Sequence, residues 1–95
     1  MNRQALQDLI NENSVLFWSV SKEDLVKLSQ EVVVETFLNY ADINQIKKMI
    51  EIIGIQRVAE IFHNQIKNAR VNYHKRTINY FTLYFNRHAQ ESSVT

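Results

Sequence analysis

A chain of 95 residues with one glycine, no proline and no cysteine has room for a single domain and lacks the residues that punctuate turns and sheet corners. The absence of cysteine excludes a disulfide framework, a thiol nucleophile and a thiolate metal site, and an apolar content of 45% excludes a chain too polar to build a core. The net charge of +1 hides an asymmetry: residues 1–60 hold nine acids against six bases, whereas residues 61–90 hold five bases, all three histidines and no acid. Such a basic stretch suits an acidic or polyanionic partner, and it equally suits a plain solvated surface. Asp8 and Glu12 interrupt the start where a signal peptide would be apolar, and no window approaches the ~20 apolar residues of a membrane span, so a cytoplasmic location is expected. The expected fold class is all-α: a compact bundle of four to five short helices with a helical corner at Gly54. Residues 1–13 read as an N-terminal helix or arm, 14–89 as one helical domain and 90–95 as a polar tail.

In chain order, Arg3 to Glu12 spaces Ala5, Leu6, Leu9 and Ile10 along one side of a short helix. A helix of this length is marginal alone. Docking on its own core and reaching for a partner are both open. Ser14 to Val20 contains Val15, Leu16, Phe17 and Trp18 in a row, which predicts an extended plug with Trp18 anchored in the core. Ser21 is the expected cap of the next helix, with Leu25, Leu28 and Val32 on one stripe and a break or bend near Ser29 and Gln30. Val34, Phe37, Leu38 and Ala41 continue on a rotated face. The β-branched run Val32-Val33-Val34 has strand propensity, but no second strand pattern exists to pair with it, so a helix is predicted.

Ile43, Ile46, Ile50 and Ile53 follow a +3, +4, +3 rhythm, one stripe of a 3.6-residue helix. Asp42 is placed to cap it and Gln45 to reach back in a capping box. Gly54 suits the end of that helix, since it alone tolerates positive φ without strain. A second stripe follows in Ile55, Val58, Ala59, Phe62, Ile66 and Ala69. Two stripes joined by one residue predict a hairpin or steep corner. A DNA-binding helix-turn-helix also has a glycine in its turn. Its register wants a small residue four before the glycine and an apolar one six after. Ile50 and Glu60 stand there, which argues for a scaffold corner. Arg70 to Lys75 reads as a polar connection, and Thr77 to Phe85 as a last helix with Ile78, Phe81 and Phe85 inward.

Glu60 and His63 form half of a di-metal bundle motif, but no second Glu-x-x-His exists to complete it. Neither a phosphate-cradling glycine loop nor a nucleophile–base–acid set is apparent, so no metal, no cofactor and no enzymatic activity are expected. The basic and aromatic residues Lys67, Arg70, Tyr73, Lys75, Arg76, Tyr80, Tyr84 and Arg87 are the candidate partner-binding face. Trp18, Phe37, Gly54, Phe62 and Phe81 are the candidate structural positions.

One resemblance spans roughly residues 15–85. It is carried by Leu16-Phe17-Trp18, Val33, Val34, Leu38-Asn39-Tyr40, Asp42, Ile53-Gly54, Arg57-Val58-Ala59-Glu60-Ile61 and Lys75-Arg76-Thr77-Ile78-Asn79-Tyr80-Phe81. In these the chain resembles a family of small uncharacterised bacterial proteins described as antitoxin-like, encoded beside abortive-infection-type nucleotidyltransferase toxins. It departs from the family at Ala41, where a glycine is usual, and at His74-Lys75, where a serine–proline start to the last helix is usual. The resemblance implies a non-catalytic interaction protein, the antitoxin of a toxin–antitoxin pair, that acts by binding its cognate toxin. The alternative reading of the residues is a DNA- or RNA-binding transcriptional regulator that uses the basic C-terminal region. A homodimer is a further expectation.

Overall fold

The computed structural model describes residues 3–68 and 71–94, with side-chain surroundings for 3–68 and 71–89. Among the described residues five α-helices and two 3₁₀ turns follow one another without a strand: α1 (Arg3–Glu12), a turn at Ser14–Phe17, a turn at Asp24–Lys27, α2 (Gln30–Tyr40), α3 (Ile43–Ile53), α4 (Ile55–Ile66) and α5 (Lys75–Val94). The protein is an all-α bundle. α4 packs on α5, α1 lies on α3, and α2 packs on both α3 and α4, which also touch each other.

α1 buries Leu6, Leu9 and Ile10, and Arg3 Nη2 donates to the carbonyls of Val26 and Leu28 at 3.2 and 3.1 Å. The helix therefore docks on the core of its own chain. Ser14–Phe17 is a 3₁₀ turn rather than an extended plug. Phe17 takes the core slot, 6.2 Å from the Phe37 ring, and Trp18 is turned out with 87% of its surface exposed. The expected Trp18 anchor is thus corrected. In a 3₁₀ turn side chains at i and i+3 eclipse, so Val15 and Trp18 share one side, and that side faces water.

Ser21 caps no helix: its Oγ accepts from Asp24 N at 3.4 Å, but only a 3₁₀ turn follows, and the residue at its N-cap is Glu23. Of the expected break or bend near Ser29, it is the break that occurs: Leu28 is extended, with ψ 134°, and Ser29 begins α2 by accepting from Val32 N. Val33, Val34, Phe37 and Leu38 form the buried face of α2, so packing overrides the strand propensity of the valine run.

Asp42 caps α3 as expected, its Oδ1 accepting from Gln45 N at 2.9 Å. The Gln45 side chain does not close a capping box; its Oε1 accepts from Asn13 Nδ2 at 3.2 Å. Ile46, Met49, Ile50 and Ile53 are the buried stripe, whereas Ile43 is 38% exposed. Gly54 adopts φ 101°, ψ 133°. Its N–H donates to the Ile50 carbonyl at 2.7 Å, and its own carbonyl accepts from Val58 N at 3.0 Å. One residue thus closes α3 and opens α4.

α4 buries Val58, Ala59, Ile61 and Phe62; Ala69 lies outside the described residues. Phe62 is the aromatic hub, with ring centroids 5.3 Å from Tyr73, 6.3 Å from Phe81 and 5.4 Å from Phe85. α5 starts two residues earlier than expected and continues to Val94. No glycine or proline interrupts that stretch, so backbone hydrogen bonding propagates through the region expected to be a polar tail.

Candidate interaction face on α5

α5 has two stripes of opposite character. Ile78, Phe81, Phe85 and Ala89 pack into the core or against it. On the far side Arg76, Tyr80, Leu83 and Arg87 are all exposed, spaced +4, +3, +4 on one line of the helix. Leu83 is 71% exposed and Tyr80 53%. A bare leucine one turn before Arg87 and two turns after Arg76 is an apolar centre with a basic rim. Arg76 and Arg87 lie about 16 Å apart along the axis at 1.5 Å per residue. Neither arginine takes part in an ion pair among the described residues.

Tyr84 flanks the stripe and is half-buried. Its ring stacks on Tyr80, with centroids 6.2 Å apart and 24° between planes, and it meets His88 at 4.4 Å. Burial, and then the neighbouring Tyr80 phenol, raise the Tyr84 hydroxyl above the usual tyrosine range, so it is a neutral donor at physiological pH. Leu83, with Tyr80, Tyr84, Arg87 and His88, lines a depression of about 350 Å³.

The predicted binding residues divide. Arg76, Tyr80 and Arg87 share the stripe, Tyr84 flanks it, and Lys75 sits beside its start on the first turn of α5. Lys67 is exposed at the end of α4, on a different element. Arg70 lies outside the described residues. Tyr73 is not on a surface at all: it is 7% exposed, and its hydroxyl donates to Gln65 Oε1. Gln65 Nε2 in turn donates to the Glu31 carbonyl at 2.9 Å. This relay ties the α4–α5 connection to α4 and α2, so Tyr73 is corrected from contact residue to core residue. Burial, and then the charge of Glu35, push its hydroxyl well above the tyrosine range. Leu83 was missed in the sequence. The signal was present: 76, 80, 83 and 87 form the stripe opposite 78, 81 and 85.

Elsewhere, Glu60 is held by Arg57 at 2.8 Å, and Arg57 also reaches Glu31 at 3.4 Å. Glu60 therefore belongs to a surface ion-pair network. An open groove of about 370 Å³ between α4 and α5 has Ala59, Phe85 and Ala89 as its apolar lining and Gln56, Glu60, His63 and Asn86 as its polar one. A smaller groove of about 270 Å³ between α1 and α3 is lined by Ala5, Asp8, Leu9, Glu12, Lys48, Glu51 and Ile52. None of the described helices is long and apolar enough to cross a membrane. Comparison with protein-family models, with curated proteins and with solved structures finds no match.

Proposed function

We propose that this chain is a non-catalytic interaction module that captures a protein partner on the outer stripe of α5. The observation that carries this reading is Leu83, 71% exposed on a helix whose opposite side is core, with an arginine one or two turns away on each side. Water is a poor solvent for an exposed leucine and a stacked tyrosine pair, and a partner that covers them gains the apolar burial. The flanking arginines select an acidic rim and supply bidentate donors. The resemblance set out above makes the partner a nucleotidyltransferase toxin and this chain its antitoxin, acting by binding.

The test is titration calorimetry of the chain against the neighbouring gene's product. Arg76→Glu with Arg87→Glu, and separately Leu83→Asp, each weaken binding about tenfold or more, the loss of one or two hot-spot contacts. Both variants alter exposed side chains, so melting stays within a few degrees of wild type. Unchanged affinity in both would sink the assignment.

The stacked Tyr80–Tyr84 pair beside Arg76 and Arg87 favours one second reading, a regulator that stacks bases on tyrosine and contacts phosphates through arginine. It predicts single-strand or duplex binding that falls steeply with salt. A blank gel shift at low salt removes it.

A further inference from the structure

We propose that the α5 stripe also docks on a second copy of this chain, in the acidic groove between α1 and α3, head to tail. The proposal rests on the reading of α5 as a docking face and identifies a further occupant for it. The groove offers what the stripe lacks. Asp8 and Glu12 stand one turn apart on α1 with Leu9 between them, and Glu51 faces them from α3. Lys48 is the one base in its lining, so it carries a net charge of −2, against +2 on Arg76 and Arg87.

Spacing agrees as well as sign. Ala5 to Asp8 and Leu83 to Arg87 are each close to one helical turn, about 4.5 and about 6 Å along the axis. Leu83 seated over Ala5 and Ile52, both half-buried in the lining of the groove, brings Arg87 to Asp8 without breaking either helix. The contact cannot form within one copy. α1 turns Leu6 and Ile10 inward and Asp8 and Glu12 outward, while α5 turns Phe81 and Phe85 inward and Leu83 and Arg87 outward, so both surfaces point away from the shared core.

A contact between two different surfaces leaves one free half on each copy. Association therefore continues past the dimer unless the rotation closes a ring. A single helix in a shallow groove buries less than the ~800 Å² per partner of a standard interface, so the assembly is concentration-dependent. Its exposed ion pairs make it salt-dependent. A protein partner seated on α5 competes with it.

The experiment is sedimentation velocity of the full chain across a concentration series, at low and at high salt. Expected is a weight-average mass that rises beyond the dimer at low salt and falls back as salt is added. Arg76→Glu with Arg87→Glu runs as monomer, and so does Asp8→Lys with Glu12→Lys. An equimolar mixture of the two variants associates again, because each supplies the half that the other has lost. Leu83→Ser, which leaves every charge in place, weakens association about tenfold through the lost apolar burial. Far-ultraviolet circular dichroism on each variant shows wild-type helicity, so a monomer is not read from an unfolded chain.

A wild type that stays monomeric throughout, variants that still associate, or a mixture that stays monomeric overturns the proposal. The two readings fail separately. A monomeric wild type whose Arg76→Glu/Arg87→Glu variant loses the protein partner ends self-association and leaves partner capture standing. A self-associating wild type whose variant binds that partner fully does the reverse.

Discussion

Alanine at position 54 isolates what the α3–α4 corner requires. Gly54 is the only described residue with positive φ, at 101°. A Cβ built there meets no atom within 4 Å, so the substitution adds no clash with the rest of the fold. What remains is backbone strain of about 1–3 kcal/mol for a side chain held in this region. The stiffer unfolded chain offsets about 0.4–1 kcal/mol. The net loss is about 1–2 kcal/mol. At roughly 4–8 °C per kcal/mol for a domain this small, the melting temperature of Gly54→Ala falls by about 4–16 °C. Thermal unfolding followed by circular dichroism measures it, with urea titration as a check that the m-value is unchanged. A melting temperature equal to or above that of wild type refutes the reasoning, because it means that α3 and α4 join without a left-handed residue. Partner binding by the variant should fall only in proportion to the unfolded fraction. A variant that melts like wild type and loses the partner would make the corner a binding element instead of a scaffold.

Two further predictions concern which aromatic side chains hold the core. Trp18→Ala changes stability by no more than about 0.5 kcal/mol, as for an exposed site, whereas Phe37→Ala, at a position with 0% exposure, costs about 3–5 kcal/mol; chemical denaturation separates them, and a costly Trp18→Ala would show that the indole packs. Tyr73→Phe strips the donor from Gln65 Oε1 and costs about 1–2 kcal/mol at neutral pH. The pH sign follows from the raised Tyr73 pKa: the neutral hydroxyl is favoured by the fold, so its stabilisation is whole below the ordinary tyrosine value near 10 and is lost as pH climbs above it. Wild type therefore loses stability more steeply than Tyr73→Phe above about pH 10, and parallel profiles would contradict the burial of this phenol.

Much of the backbone was legible because its signals are local. The +3, +4 rhythm from Ile46 to Ile53, the Asp42 cap and the positive φ at Gly54 each depend on residues within about one turn, and all three appear where the pattern put them. The same holds for Ile78, Phe81 and Phe85 on the inner face of α5. The 3₁₀ turns escaped because runs of three or four residues have no period to read. The extension of α5 to Val94 escaped because the polar stretch carries no apolar period to read as helix, although it also lacks a glycine or proline to stop one.

What the sequence alone determined is therefore an all-α chain, the turn at Gly54 and the basic second half. Only the tertiary structure decided which side chains those elements hide. Phe17 and not Trp18 enters the core, where it packs against Phe37, twenty positions away. Tyr73, in the connection before α5, is buried against Phe62 of α4, and Gln65 of α4 accepts its hydroxyl and donates in turn to the Glu31 carbonyl of α2. Leu83 is bare because Phe81 and Phe85 already spend the inner face of α5 on Phe62. Periodicity fixes the angle between side chains on one helix, but not which angle faces the core; that is set by contacts between residues far apart along the chain.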